Sequence, residues 1–278
     1  MKSSIIQKHF KCPLCGCQMT VTDDGKSVKC DGLNPKNKKH SFDFSADGYL
    51  SFGVTGGDSK EAVRARTDFL SKNYYLPAAE AVKLSVEKYV SDCKLLVDAG
   101  CGEGYYTSML SDVSENTVGF DLSKFACAAG AKQAKRDGKT NLLYATASVF
   151  ELPLQDECAD AVTNIFAPCA EEEYKRILKP GGYLFVVGAG KDHLMGLKKA
   201  IYDDVYENGQ RADLPKNMEK VDCISAHCSV EISGKENIAA LFSMTPYYWR
   251  TSEGDKEKLA NLEELVTDID FEINIYRK

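Results

Sequence analysis

No run in this 278-residue chain approaches the ~20 consecutive apolar residues that cross a bilayer, which excludes a helical membrane protein. The opening MKSSIIQKHF lacks the apolar centre of a secretory signal, so export is not expected and a cytoplasmic location is. Eleven cysteines without such a signal point to reduced thiols and a metal rather than to disulfides. A second Cys-x-x-Cys is missing, which excludes the commonest four-cysteine ribbon; Cys12 and Cys15 form the lone knuckle. The spacing G-x-G-x-x-G is absent as well, and with it the usual pyrophosphate cradle of a dinucleotide fold.

What stands in its place is LLVDAGCGEGYYT over residues 95–107. A short apolar run, as in a strand covered on both faces, passes into the glycine turn Gly100, Gly102, Gly104 and out into a helix. Glycines let backbone approach a ligand without β-carbon interference. Asp98 and Glu103 beside the turn would repel a pyrophosphate, but they suit a ligand carrying an ammonium group and ribose hydroxyls. S-adenosylmethionine (SAM) is such a ligand.

Charge is divided unevenly along the chain. Residues 1–42 hold eight lysines against three aspartates, a local balance of +5, and the remainder carries −11 of the net −6. That basic head contains Cys12, Cys15 and Cys30 around a hairpin expected to turn at Asp23-Asp24-Gly25, and the next ligand-type residue is His40, with nine residues between it and Cys30. Three thiolates and an imidazole close a tetrahedral structural Zn²⁺ site; Cys17 is the competing ligand. A segment so small has too little core to fold unaided, so metal would supply much of its stability.

Beyond the head, residues 44–58 are rich in glycine and small polar residues and read as a linker. Helices are expected over 59–70, carrying Arg64 and Arg66, and over 78–90. After the glycine turn, helix (103–112), strand (117–122), helix (124–136), two strands (141–147 and 159–168), helix (171–178) and strand (182–190) alternate. This pattern predicts an α/β fold, a doubly wound, mostly parallel sheet with helices on both faces. Three regions follow: a zinc-binding head at 1–43, a linker and connector helix at 44–77, and a catalytic domain at 78–278. Ligands bind such sheets at the carboxyl ends of strands near the switch in strand order. Those ends present Asp98, Asp121, Ala147-Ser148 and the run from Asn164 to Cys169. Asp121, 23 residues past Asp98, is placed to accept from ribose hydroxyls or to cap the following helix.

With these residues placed, the chain resembles the class I SAM-dependent methyltransferases, and more specifically the bacterial 23S rRNA (guanine-N1)-methyltransferases. The resemblance spans almost the whole chain: FKCPLC, the GYLSF linker, GDSKEAVRAR, VDAGCGEGYYT, GFDLSK, IFAPC, KPGG, HLMGLK, SMTPYYWR and DFEINIY. It implies SAM-dependent methylation of N1 of one guanine in a hairpin loop of 23S rRNA, by a homodimer with a structural zinc. It implies Cys12, Cys15, Cys30 and His40 as zinc ligands, although the stretch from Cys30 to His40 is longer than the family's usual spacing. It implies Tyr75, Glu103, Gly104 and His193 as SAM contacts; Asp98, Gly100, Gly102 and Asp121 come from the wider methyltransferase pattern.

Several further residues have expected roles. Ala167-Pro168-Cys169 would shape the acceptor pocket, a backbone carbonyl of the turn or a nearby carboxylate orienting or accepting the guanine N1 proton; the sequence names no general base. Cys169 is not expected to be a nucleophile, because N1 itself attacks once deprotonated. Glu171, Glu172 and Glu173 read as a solvated helix start. Tyr247, Tyr248 and Trp249, with Arg250, would stack on an extruded base or pack at the sheet edge. Arg64 and Arg66 would contact phosphate or form surface ion pairs. Two other functions remain open: a SAM methyltransferase for another RNA nucleotide or a small metabolite, and a non-catalytic SAM-fold RNA-binding protein.

Overall fold

Serine hydroxyls start two helices where the sequence places them: Ser59 accepts from the Ala62 N–H at 3.2 Å and Ser123 from that of Ala126 at 3.3 Å. A computed structural model describes residues 2–209, 211–248 and 250–278. It begins with α1 (Lys2–His9) and a three-stranded antiparallel sheet of β1 (Met19–Val21), β2 (Ser27–Cys30) and β3 (Ser41–Asp43). Their first hairpin turns at Gly25, whose N–H donates to the Thr22 carbonyl at 2.8 Å. Next come β4 (Leu50–Ser51), α2 (Lys60–Leu70) and α3 (Leu76–Tyr89). The alternating region follows as β5 (Leu95–Ala99), α4 (Tyr105–Leu110), β6 (Asn116–Asp121), α5 (Lys124–Arg136), β7 (Leu142–Thr146), β8 (Ala159–Ile165), α6 (Glu171–Ile177) and β9 (Leu178–Ala189). Last are α7 (Met195–Ile201), β10 (Glu219–Ser233), α8 (Lys235–Ser243), α9 (Glu253–Ala260) and β11 (Glu264–Arg277).

The main sheet has eight strands in the order β10-β11-β9-β8-β5-β6-β7-β4. Pairing is parallel from β9 through β4, and antiparallel where β11 joins β9 and β10 joins β11. The order reverses at β5, which lies between β6 and β8, so the glycine turn leaves the sheet at the switch point. The edge strand β4 comes from the stretch expected to be a linker: Leu50 lies opposite Ala145 and Ser51 opposite Thr146. Two residues are too few to show a strand period, and the glycines around them hid it.

Side chains alternate across β5. Leu95, Val97 and Ala99 join a buried cluster with Ile5, Ile6, Phe10 and Met19 of the head. Leu96 joins Val82 and Val86 of α3, Phe185 and Ile273 on the opposite face. Helices on both faces were expected; part of one face is instead covered by the cysteine-bearing head and α1. Phe10 carries the contact, its ring 5.9 Å from Phe120 of β6 and 6.2 Å from Phe52.

Candidate functional site

The glycine turn is held from below and from the side. Asp98, expected to face an ammonium group, is buried and accepts from the Thr107 hydroxyl at 2.6 Å and the Thr163 hydroxyl at 2.8 Å. It ties β5 to α4 and β8, and burial pushes its carboxyl up to about 6. Asp121 accepts from the Gly102 N–H at 3.0 Å and the Ser123 N–H at 2.7 Å, so it shapes the turn and starts α5. Space left by the absent β-carbons is taken by protein at two positions. At Gly100 a β-carbon would collide with that of Ala167, and at Gly104 with the Tyr144 ring.

Gly102 faces a guanidinium. Arg66 of α2 pairs with Glu103 (Nε–Oε2 2.5 Å) and with Asp58 (Nη1–Oδ2 2.6 Å). Arg66 is therefore anchored over the turn rather than presented to phosphate, and Glu103 meets a cation of the chain's own. The sequence could not pair residues 37 apart whose meeting depends on α2 crossing the strand ends. Arg64, two residues earlier on α2, is exposed and pairs loosely with Asp68 at 3.7 Å. A cavity of about 1070 Å³ opens beside the turn between α2, α4 and α5, lined by Glu103, Gly104, Leu76 and Phe125 among others. Neither Asp121 nor His193 lines it, so it adjoins the strand-end site without being that site.

Tyr75, just ahead of α3, and His193, past β9, meet although 118 residues of chain order separate them; their rings lie 5.9 Å apart, edge to face. Phe166 stacks on His193 at 5.7 Å, and Phe271 closes the cluster. The Asp270 N–H donates to His193 Nδ1 at 3.2 Å, which leaves the ring proton on Nε2. Burial, and then the charge of Lys198, push this imidazole down to about 4. The folded value lies below the ordinary 6.5, so His193 stabilises the fold above pH 6.5 and loses that contribution as pH falls toward about 4. His9, likewise pushed down to about 4 by burial, acts in the same direction. Asp98 acts oppositely: its raised value stabilises the fold below pH 3.8, and the contribution is lost as pH rises through about 6. His193→Gln is expected to flatten the fall in stability between pH 7.5 and 4.5 by ~2–3 kcal/mol in denaturant titrations. Identical slopes for variant and wild type would contradict a buried neutral imidazole.

In the head, Cys12, Cys15, Cys30 and His40 bring their ligand atoms within 4.8 Å of one another. The separations are 3.5 Å for Cys12 Sγ to His40 Nδ1, 3.7 Å for Cys30 Sγ to His40 Nδ1, and 3.8 Å between Cys15 and Cys30 Sγ. A tetrahedral ion with bonds of ~2.3 Å to sulfur and ~2.0 Å to nitrogen requires edges of about this length. Cys17 is not among the four, and the longer Cys30–His40 loop still returns the imidazole to the knuckle.

Residues 97–186 match the family model described as a methyltransferase domain. The chain carries a methyltransferase domain. Over 297 aligned residues it is 28% identical to a Bacillus subtilis (strain 168) protein, YxjB, provisionally named a 23S rRNA (guanine-N(1)-)-methyltransferase; the match covers 99% of this chain and 98% of the other. It is 29% identical over 212 residues to a Streptomyces fradiae 23S rRNA (guanine(748)-N(1))-methyltransferase, covering 72% of this chain and 70% of that one. Among solved structures, a provisionally named type II methyltransferase from Anaeromyxobacter dehalogenans superimposes with a TM-score of 0.52 at 14% identity, over 71% of this chain and 94% of that one. The last match speaks to fold alone.

Within the methyltransferase domain, the turn after β8 is held by a residue with no sequence signal. Arg211 lies in the loop between α7 and β10 and donates to Asn164 Oδ1 at 2.9 Å, to the Val187 carbonyl at 3.2 Å and to the Ala167 carbonyl. Asn164 Nδ2 and the Tyr174 hydroxyl both donate to the Pro168 carbonyl, at 2.9 and 3.2 Å. Two of the turn carbonyls, those of Ala167 and Pro168, thus already accept from side chains of the protein. Cys169 is pushed up to about 11 by burial, a neutral thiol unsuited to attack. Glu171 and Glu173 are not simply solvated: Glu171 accepts from the Lys216 and Asn217 N–H groups, and Glu173 from that of Leu152. Tyr247 and Tyr248 pack against Phe242 at 6.2 and 5.1 Å, so they adopt the packing role rather than the stacking one. Arg250 is exposed, and Trp249 lies outside the described residues.

Proposed function

We propose that the protein transfers a methyl group from SAM to N1 of a guanine in a hairpin loop of 23S rRNA. The observation that carries this reading is a similarity, over 99% of the chain, that runs through both the cysteine head and the glycine turn. SAM supplies an already activated methyl group, so what remains for the protein is to hold and orient two reactants and to exclude water. We assign cofactor binding to Tyr75, Gly100, Gly102, Glu103, Gly104, Asp121 and His193, with Asp98 supporting the turn from beneath. Glu103 offers charge for an ammonium group, Asp121 acceptors for ribose hydroxyls, and His193 an Nε2–H for a carboxylate. When Glu103 meets that ammonium group, Arg66 shares the carboxylate or turns toward Asp58.

On the same reading the head holds one structural Zn²⁺ through Cys12, Cys15, Cys30 and His40, and its lysines, with Arg64, meet rRNA phosphates. An rRNA substrate places the protein in the cytoplasm; among the described residues no helix is long and apolar enough to cross a membrane. The proposal includes a homodimer, which a single-chain mass in sedimentation equilibrium would rule out. The function is tested by incubating the protein with radiolabelled SAM and unmodified 23S rRNA, then digesting the RNA to nucleosides. Label is expected in 1-methylguanosine; label in another nucleoside, or in small molecules alone, would overturn the reading.

A further inference from the structure

We infer that Phe166 is the platform on which the acceptor guanine stacks. This rests on the rRNA guanine reading and adds to it the residue that receives the base. Phe166 directly follows β8 at the switch point, next to Ala167, which touches the glycine turn at Gly100. Its backbone lies in the left-handed region, φ +53°, where an aromatic residue rarely sits. The consequence is an outward side chain: Asn164 and Ile165 before it are buried, while Phe166 is 47% exposed.

An exposed phenylalanine alone would signify little, and Phe150 is more exposed at 63%. What distinguishes Phe166 is how firmly its surroundings hold it. Its N–H donates to the Val187 carbonyl at 3.1 Å, and Arg211 grips both Asn164 before it and the Ala167 carbonyl after it. One face of the ring is backed by buried His193, 5.7 Å away and inclined by 29°, and Phe271 meets it edge-on at 4.9 Å. A rigid, unfavourable backbone geometry is therefore maintained to display one aromatic face beside the cofactor turn. A nucleobase extruded from a loop needs such a face, because stacking replaces the neighbours it leaves. Tyr247 and Tyr248, two of the three aromatics that the sequence offered for this task, are packed against α8 instead, and the third, Trp249, lies outside the described residues.

Phe166→Leu keeps a β-carbon and apolar bulk but removes the π face, and Phe166→Tyr keeps both. Steady-state methylation of a 23S rRNA transcript is measured for wild type and both variants, with SAM affinity measured separately by calorimetry. The expected result for Phe166→Leu is a fall of ~10- to 100-fold in kcat/KM for RNA, with SAM affinity unchanged. Phe166→Tyr is expected to remain close to wild type. Undiminished activity in Phe166→Leu, or equal loss in Phe166→Tyr, overturns the platform while leaving the guanine reading intact. A parallel loss of SAM affinity assigns Phe166 to the cofactor and overturns it too. If the wild-type protein methylates no guanine, the parent reading has failed, whatever the variants do.

Discussion

Removing the metal, by Cys30→Ala or by a strong chelator, is expected to lower the unfolding temperature of the whole chain by ~10 °C or more. The head is not a bead on a flexible linker. Phe10, Met19, Cys12 and Cys30 lie in the same buried cluster as Val97, Val118 and Phe120 of the main sheet. Loss of the ion would leave three thiols and an imidazole clustered without the bond that justifies their proximity, and β2 would lose its anchor to the Cys12–Cys15 knuckle. Phe10 and Ile6 would then no longer be held on β5 and β6, so loosening reaches the sheet. Cys17→Ala is the control: Cys17 stands outside the four-residue group and is expected to change little. Differential scanning calorimetry with elemental analysis for zinc is the measurement. A protein purified without metal and unchanged by chelator would remove the zinc assignment.

Gly104→Ala is expected to weaken SAM binding by ~100-fold or more, since small misplacements of positioning groups have effects of that size. Gly104 has φ +86°, and a β-carbon there would stand 2.7 Å from Tyr144 Cζ and 2.9 Å from Cε1. Tyr144 is itself 1% exposed and cannot retreat, so the turn must move. Left-handed strain and overpacking together suggest ~2–5 kcal/mol of lost stability. Gly102→Ala provides the contrast: its β-carbon would meet Arg66 Nη2 at 3.3 Å, the far end of a long side chain that can shift. It should bind SAM far better than Gly104→Ala. Calorimetric titration with SAM compares them, and equal affinities would show that the turn's shape is not what the cofactor requires.

Much of this fold could be read directly along the chain. The α5 helix spans Lys124–Arg136 as expected, and its serine cap is local information. Strands β5, β6 and β7 fall where short apolar runs end in aspartate or small residues, because burial on both faces leaves an unbroken apolar signature. The grouping of Cys12, Cys15, Cys30 and His40 was also legible, since thiolate and imidazole are few and their chemistry is specific. Residues whose role depends on distant partners were not. Arg66 sits on a helix with an ordinary surface pattern, and only the crossing of α2 over the strand ends brings it to Glu103. Arg211 lies in a loop without periodicity, yet it closes the turn after β8. Tyr247 and Tyr248 are amphipathic, and composition alone could not tell a core face from a stacking face.

The sequence by itself determined the βα alternation, the glycine turn that replaces a pyrophosphate cradle, the candidate set of three cysteines and a histidine and the division of charge between head and body. Each depends on residue type and spacing over short stretches. The tertiary structure decided that the head packs as a cover on the sheet and that residues 50–51 form an edge strand. It also decided that Asp98 supports the turn instead of facing the ligand, and that Phe166 points outward at the switch point. These depend on contacts between residues tens to more than a hundred positions apart, whose partners are chosen by packing and burial.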